Sequence, residues 1–373
     1  MVTGVLWIMA AAALGAQEAP VVEHVIVYKE PGRFGGWPAN HGMWAWGDEL
    51  LVGFSVGYFK DLGPEKHAID REKPEEPVLA RSLDGGKTWS IEHPNAKHIL
   101  APRKGVIHGT VAPNATEPDA VDCPGGVSFT HPDFAMTLRM SDLNEGTSRL
   151  YYSYDRGKDW KGPFKVPLFG QKGIAARTDY VVDGPHDCTV FLTASKSNGK
   201  EGRVLCARTT DGAKTWKMLS FIGPEPEGYS IMPSSVRVSE TSLLTTIRRR
   251  DGDPSWIEEY RSDDNGVSWT FVNRPVPSTG EGNPPALLKL RDGRLCLIYG
   301  YRAAPFAICA RLSTDGGKTW GEAITLRGNA GGRDIGYPRA IQRPDGKVVC
   351  VYYICDDPNK ERYIEAAVWD PAS

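Results

Sequence analysis

Apolar residues in this chain occur in short runs, and turn-forming residues follow each run. Five of these runs precede copies of one motif, and they occupy residues 78–81, 150–152, 204–207, 257–260 and 307–311. Short runs rich in aliphatic and aromatic residues and bounded by Gly, Asp and Ser are typical of β-strands. No long stretch has the helical period of apolar residues. The pattern therefore predicts an all-β chain built from short antiparallel strands.

The motif that follows each run contains Ser or Thr, then Asp, then Gly or Ala, and ends in Trp. Its copies begin at residues 82, 153, 209, 262 and 313, so successive copies are 71, 56, 53 and 51 residues apart. The Asp can accept hydrogen bonds from turn N–H groups, and Gly tolerates a positive φ. A repeat near this length is typical of stacked or radially arranged units. Each copy is therefore predicted to form the last hairpin turn of a four-stranded sheet.

A sixth unit, which has no motif, follows the fifth copy. It contains Asp345 and Gly346, a dipeptide that favours a hairpin, between two apolar runs. Six units predict a six-bladed β-propeller that forms one domain over residues 21–373. A strand near residues 24–28 is expected to complete the last blade, because radial closure leaves few exposed sheet edges.

Charge and composition narrow the possible partners and the location. The chain has 373 residues and a net charge of −2, so nothing indicates nucleic acid or an anionic membrane as partner. Residues 5–14 form an apolar run followed by small residues, which predicts a signal peptide over residues 1–16 and a secreted or periplasmic protein. The stretch before this run contains no Lys or Arg, which argues against that prediction. No segment is long enough to predict a membrane span.

The seven cysteines do not indicate a metal site. None of them forms a C-x-x-C pair or a zinc-ligand spacing, and no calcium-loop spacing is present. We therefore expect no metal and no cofactor. Most of the cysteines lie in apolar runs, where a thiol behaves as a small core residue. After export a disulfide would also be possible, and the sequence does not decide between the two.

The repeated motif resembles the Asp-box of sialidases and related β-propellers. The resemblance implies Asp-box hairpins at the periphery and a catalytic centre at the axis, where loops from the inner strands converge. It also implies an anionic glycan as substrate, an arginine cluster that binds its carboxylate, a Tyr nucleophile and an Asp that transfers protons. A guanidinium group matches a carboxylate with two parallel hydrogen bonds, which explains the need for arginine.

Four arginines lie near predicted inner strands or at the ends of their strand pairs. Arg33, Arg248 and Arg302 are predicted to converge on one axial pocket and to bind substrate. Arg339 is an alternative to Arg302 in this cluster.

Five further residues are candidates for the same pocket. Tyr337 fits the position of the sialidase nucleophile, and Asp70 fits that of the acid/base. His41 is the alternative proton donor, because its ordinary pKa lies in the working range. Asn40 and His67 are predicted to contact substrate.

One position departs from the sialidase pattern. Met232 stands where sialidases have the Glu that supports the Tyr nucleophile. Glu225, Glu227 or Glu281 could take its place in space, and Glu201 could reach the rim of the pocket or lie in a solvated turn.

The leading functional hypothesis is a secreted exo-glycosidase that removes a terminal anionic sugar of the sialic acid type. One alternative is a glycosidase that acts on uronic acid-containing oligosaccharides through His41. Another is a non-catalytic glycan-binding propeller, which would keep the arginines but need no acid. A scaffold propeller without a small ligand is a further possibility, because fold alone does not determine function.

Overall fold

The computed structural model of the protein describes residues 20–94, 100 and 118–372. Their strands form six antiparallel sheets, which we call blades 1 to 6. This arrangement confirms the predicted six-bladed β-propeller. The apolar run predicted to be a signal peptide lies outside the described residues, so export stays a prediction.

Blades 1 to 3 contain strands β2 to β14. Blade 1 holds β2 to β6, at Arg33–Gly36, Gly42–Trp46, Glu49–Tyr58, Glu76–Ser82 and Ser90–Glu92. Blade 2 holds β7 to β9, at Ala135–Met140, Ser148–Ser153 and Lys161–Val166. Blade 3 holds β10 to β14, at Ile174–Ala175, Tyr180–Val182, Cys188–Ser195, Glu201–Thr209 and Lys217–Phe221.

Blades 4 to 6 contain the remaining strands. Blade 4 holds β15 to β18, at Tyr229–Arg237, Leu243–Arg250, Ser255–Ser262 and Thr270–Gly280. Blade 5 holds β19 to β22, at Ala286–Lys289, Leu295–Tyr301, Ala307–Ser313 and Ile324–Arg327. Blade 6 holds β23 to β25, at Gly336–Gln342, Val348–Ile354 and Tyr363–Trp369, together with β1 at Val22–Tyr28.

The ring closes through the N-terminal strand, as the sequence predicts. Strand β1 pairs antiparallel with β25, and Val22 lies opposite Trp369 in the register. The outermost strand of blade 6 therefore comes from the other end of the chain, and it covers a sheet edge that would otherwise be open.

Apolar side chains fill the spaces between neighbouring blades. Along β4, Leu50 and Val52 pack in a cluster with blade 6, whereas Leu51 packs in a cluster with blade 2. Successive side chains of a strand point to opposite faces, so a strand buried between two neighbours is apolar at every position. This explains why the central strands read as continuous apolar runs rather than as alternating patterns.

The repeated motifs form the turns between the outer strand of each blade and the strand that pairs with it. In the first copy, the Ser82 hydroxyl accepts from Gly86 N at 2.8 Å, and Asp84 Oδ1 accepts from Thr88 N at 2.9 Å. The same Asp-to-backbone bond recurs in the other four copies at 2.9–3.0 Å. Their peripheral position, predicted from the sequence, is confirmed.

Three blades differ from the predicted four-stranded unit. In blades 1 and 3 two short strands, β2 with β3 and β10 with β11, share the inner position. In blade 1 the break is a 3₁₀ turn at Pro38–Asn40, where Pro38 has no N–H to donate to a sheet. Blade 2 has three strands, and Val121 adds an isolated parallel bridge to Phe164 at its outer edge.

Two further observations concern cysteines and helices. All seven cysteines are buried, and each is a free thiol in the structure. Among the described residues, no helix has the length and apolar character needed to cross a membrane.

Candidate active site

A pocket of about 260 Å³ lies where inner strands and connecting loops of the blades meet, and we call it the axial pocket. Five of the six blades contribute to its wall. The lining residues are Trp37, Asn40, His67, Arg71, Met140, Leu143, Arg177, Glu201, Ile231, Met232, Arg248 and Tyr337.

Three of these residues have a left-handed backbone that is unusual for residues other than glycine. The φ angles are +60° at Trp37, +55° at Met232 and +50° at Tyr337. Met232 and Tyr337 lie at irregularities in strands β15 and β23, where the pairing register shifts. A β-bulge redirects a side chain out of the regular alternation, and such strain is concentrated at functional sites. The backbone thus presents these side chains to the axial pocket at a local energetic cost.

Three arginines line the axial pocket, from three different blades. They are Arg71, Arg177 and Arg248. Arg71 lies over the ring of Trp37, with 5.1 Å between the guanidinium carbon and the ring centroid. Arg177 Nη1 contacts Glu201 Oε1 at 2.5 Å, which neutralises part of the charge. The cluster remains cationic overall, and a carboxylate is the ligand group that it suits best.

Tyr337 is the residue that Arg248 positions. Arg248 Nη1 donates to the Tyr337 hydroxyl at 3.1 Å, and Nη2 donates to the Tyr229 hydroxyl at 3.0 Å. Burial raises the pKa of Tyr337, but Arg248, Arg302 and Arg177 outweigh it and lower that pKa below its ordinary value of 10.0. A phenol among cations loses its proton more readily, as an activated nucleophile requires.

A histidine–aspartate pair borders the same pocket. His67 Nδ1 lies 2.5 Å from Asp334 Oδ1, and Asp334 Oδ2 accepts from Ala68 N at 3.0 Å. Burial is the largest cause that lowers the pKa of His67, and Asp334 only partly opposes it. With Nδ1 bound to the carboxylate, a neutral His67 keeps its proton there and leaves Nε2 as an acceptor. A base oriented by a carboxylate is the arrangement used to activate hydroxyl nucleophiles.

The remaining wall of the axial pocket is apolar. Met140 and Leu143 from blade 2 and Ile231 from blade 4 lie there with Met232. The axial pocket therefore has a cationic side and an apolar side.

Four of the predicted site residues line the axial pocket, and they are Asn40, His67, Arg248 and Tyr337. Asn40 Oδ1 accepts from Arg177 Nε at 3.2 Å, which orients that guanidinium group. Arg302 lies behind the pocket, with its guanidinium carbon 5.3 Å from the Tyr337 ring centroid. It is 3% exposed and bonds to Ile335 O and the Tyr353 hydroxyl, so it acts on Tyr337 through charge.

Of the three arginines predicted to converge, Arg248 lines the axial pocket and Arg302 lies behind it, whereas Arg33 is not among the lining residues. Arg33 stacks on the ring of Tyr58 at 4.1 Å and does not line the axial pocket. Arg339 donates to Ala39 O at 2.7 Å and lines a separate cavity of about 280 Å³. Arg71 and Arg177 take the positions in the pocket that Arg33 and Arg302 were predicted to occupy.

Asp70 and His41, the two predicted proton donors, also lie outside the lining of the axial pocket. Asp70 Oδ1 accepts from Glu72 N at 3.2 Å and lies 3.5 Å from Lys60 Nζ. His41 is buried, and its ring nitrogens contact Ser55 Oγ at 3.1 Å and Arg139 Nη1 at 3.3 Å. Burial, then Arg139 and Arg339, lower the pKa of His41 well below its usual range.

The three glutamates considered as replacements for the missing Glu do not line the axial pocket either. Glu225 accepts from Ser197 N at 3.1 Å, and Glu281 pairs with Arg333 at 2.8 Å. Of the acidic residues considered from the sequence, Glu201 is the one on the pocket.

Sequence reasoning missed three of the groups that build the site. Arg71 and Asp334 lie close in sequence to Asp70 and Tyr337, which were predicted in their place. Arg177 follows the short strand Ile174–Ala175, whose inner position could have been inferred from its apolar run after a glycine.

Comparison with known proteins agrees with the fold. Residues 134–350 match the model of the BNR repeat-like domain family. No curated protein matches the sequence.

Several solved structures share the architecture at low sequence identity. A protein of unknown function from Dyadobacter fermentans has a TM-score of 0.70 and 19% identity, over 94% of this chain and 99% of that one. The NanB sialidase from Streptococcus pneumoniae has a TM-score of 0.60 and 11% identity, over 93% of this chain and 70% of that one. The α-L-arabinofuranosidase Arb93A from Fusarium graminearum has a TM-score of 0.58 and 11% identity, over 91% of this chain and 97% of that one.

The family match covers more than half of the chain, so the protein belongs to the BNR repeat-like family. The prediction that the chain is a BNR repeat protein is thereby confirmed. At these identities the solved structures establish the fold that the chain shares with them, and its function is argued from the site.

Proposed function

We propose that this protein is a glycoside hydrolase that removes a terminal, carboxylate-bearing sugar from a glycan, with Tyr337 as nucleophile. The observation that carries the proposal is the Tyr337 hydroxyl in the axial pocket, 3.1 Å from Arg248 Nη1 and with a lowered pKa. The sialidase and the arabinofuranosidase among the similar structures are glycosidases by name, which supports this reaction class.

The arginines of the axial pocket favour an anionic sugar. Arg71 and Arg248 can hold its carboxylate, and the apolar wall around Met140 and Leu143 can receive the less polar face of its ring. A sialic acid or a uronic acid has these properties. A Tyr nucleophile suits such a substrate because sialidases, unlike most glycosidases, use tyrosine in place of a second carboxylate.

We assign the proton transfer to His67. As the Tyr337 oxygen attacks the anomeric carbon, its proton passes to His67 Nε2 and then to the departing glycosidic oxygen. In the second half of the reaction, His67 takes a proton from water, and the hydroxide oxygen bonds to the anomeric carbon. The bond from this carbon to the Tyr337 oxygen breaks, and His67 returns the proton to that oxygen. This assignment supplies the base that Met232 cannot provide, and Asp334 fixes the ring that performs it.

The site also determines the direction of the pH dependence. His67 must be neutral to accept the proton, so kcat/KM falls on the acidic side as the imidazole becomes protonated. Because the pKa of His67 is lowered from 6.5, this loss is expected below that value. The proposed substrate lies outside the cytoplasm if residues 1–16 act as a signal peptide, which is part of the same proposal.

The decisive experiment is an activity screen with variants of the pocket. Aryl glycosides of sialic acid and of uronic acids are incubated with the purified protein, and released sugars are separated by anion-exchange chromatography. Tyr337→Phe keeps the ring but removes the nucleophilic oxygen, and we expect it to reduce kcat by about 10³-fold or more. His67→Ala should lose about 10²–10⁴-fold on substrates with a poor leaving group.

Tyr58→Phe is the matched control, because Tyr58 packs on Arg33 outside the axial pocket and should keep full activity. A fluorinated sugar that slows hydrolysis of the sugar–Tyr337 bond should remain attached to the peptide that contains Tyr337, and mass spectrometry detects this adduct. Full activity of Tyr337→Phe would exclude the covalent mechanism. Tight binding of carboxylated sugars without any turnover would instead identify a glycan-binding propeller.

A further inference from the structure

The tryptophans of the five repeated motifs are not equivalent. Trp89 and Trp160 donate their indole N–H to the glycine carbonyl of their own motif, each at 3.0 Å. Trp269 donates to Ser220 Oγ at 3.1 Å, and Trp320 donates to Glu259 Oε2 at 2.8 Å. The third motif is different, because Trp216 makes no hydrogen bond through its indole N–H to any described residue. Four tryptophans are thus tied into the fold, and the indole N–H of the fifth has no partner within the described part of the chain.

Trp216 lines a groove of about 580 Å³ between blades 2 and 3, which we call the outer groove. Leu168 and Val166 give it an apolar side, whereas Lys165 and Lys214 lie along it as polar groups. Trp216 is half-buried, so part of its indole faces the groove. An aromatic surface bordered by a few donors and acceptors is typical of ligand sites, and buried or half-buried Trp normally finds a partner for its N–H.

One loop of blade 2, residues 141–147, separates the axial pocket from the outer groove and borders both. Leu143 lines the axial pocket, and the residues on either side of it line a depression of about 610 Å³. That depression includes Lys200, next to Glu201 of the axial pocket, and it shares Thr147 with the outer groove. Asn144 Oδ1 accepts from Glu201 N at 3.0 Å, which holds the loop against blade 3. The same loop therefore lies between the nucleophile and Trp216, and a chain that reaches both must cross it.

We propose that the rest of the glycan chain crosses this loop, with a sugar ring on Trp216 in the outer groove. A sugar ring has an apolar C–H face that can pack on an indole and hydroxyl groups that can accept from its N–H. The depression between the two sites carries polar groups such as Asp142 and Lys200, which suit the intervening sugars. This inference rests on the proposed function, and it makes the substrate an oligosaccharide or polysaccharide rather than a small glycoside.

Binding measured without turnover tests the inference separately from the proposed catalysis. Calorimetric titrations are made with Tyr337→Phe protein and with sialic acid and galacturonic acid probes, each as the monosaccharide, the disaccharide and longer oligomers. We expect affinity to rise with chain length and the indole N–H signal of Trp216 to shift in NMR spectra only with the longer probes. Trp216→Ala, added to this background, should weaken the longest bound probe about tenfold and leave the monosaccharide unchanged.

Two further variants separate binding from folding. Leu168→Ala alters the lip of the outer groove without touching a motif turn, and it should weaken only the long probes. Phe271→Ala is the control, because Phe271 is an exposed aromatic residue on the outer strand of blade 4. Equal affinity for short and long probes would overturn the inference. It would also be overturned if Trp216→Ala weakened the monosaccharide as much as the long probes. If the long probes bind as expected but nothing is hydrolysed, the proposed function fails while the inferred binding of the glycan chain stands.

Discussion

At the scale of single residues, the charge around Tyr337 compensates for Met232. A carboxylate at that position would serve as a base, but Met232 offers only a thioether, 3.9 Å from Arg248 Nη1. The neighbouring arginines instead lower the pKa of Tyr337 by stabilising its phenolate, and in the proposed mechanism His67 takes the proton. Under the proposed mechanism, the departure from the sialidase pattern at Met232 is therefore local.

This account predicts how the pKa of Tyr337 responds to the loss of one cation. Arg248→Met removes both a charge and the 3.1 Å hydrogen bond, so the pKa of Tyr337 should rise. The measurement is the ultraviolet absorbance of phenolate during a pH titration, taken as the difference between each protein and its Tyr337→Phe partner. An unchanged titration curve in the Arg248→Met protein would show that the arginine does not control the phenol.

At the scale of elements, the repeated turn is constant while its surroundings are not. The glycine position has a φ of +94° at Gly86 and +93° at Gly317, and the third copy has Ala213 at +68°. A Cβ on Gly86 would be 3.4 Å from Val349, which is ordinary contact, whereas on Gly317 it would be 2.8 Å from Leu244 and would collide with Glu259 Oε1. The turn itself accepts alanine, so the loss of stability on substitution depends on the side chains packed against the turn.

The two glycines therefore form a matched pair for mutagenesis. Both Gly→Ala substitutions carry the same penalty for a positive φ, so their difference reports packing alone. We expect Gly317→Ala to lower the free energy of unfolding by about 1–3 kcal/mol more than Gly86→Ala. Urea unfolding of the two proteins, followed by circular dichroism, measures this difference. Equal losses would mean that Glu259 and Leu244 move aside at no cost.

At the scale of the whole molecule, the pairing of β1 with β25 joins the two ends of the chain. Val27 in β1 is 5% exposed and packs in the cluster between blades 1 and 6, whereas its neighbour Ile26 is 55% exposed. The last blade depends on this strand, because without it β25 would have an open edge.

Opposite faces of β1 give a direct test of this closure. Val27→Asp places a carboxylate in the apolar cluster and should lower the free energy of unfolding by roughly 3 kcal/mol. Ile26→Asp introduces the same side chain on the solvent face and should change it by less than about 0.5 kcal/mol. Thermal and urea unfolding midpoints compare the two variants. Equal stability of both would show that β1 contributes little to the ring.

The sequence by itself determined the architecture, because the features that specify it are local. Each motif carries its own turn chemistry, each apolar run marks a strand, and the number of units sets the number of blades. Tyr337 and Arg248 could be placed for the same reason, since Tyr337 lies in an inner strand that the repeat locates and Arg248 lies in the strand paired with one. Asn40 and His67 also follow from their nearness to such strands.

Only the tertiary structure decided which other groups meet at the axis. Arg71, Arg177 and Asp334 come from different blades and join the site through loop paths that no repeat specifies. Asp70 and His41 are close in sequence to residues of the site. Asp70 instead lies beside Lys60, and His41 is buried in the packing of blade 1. The direction of a side chain at a strand end depends on bulges and on partners from other blades, so the fold could be predicted from local patterns and the full site could not.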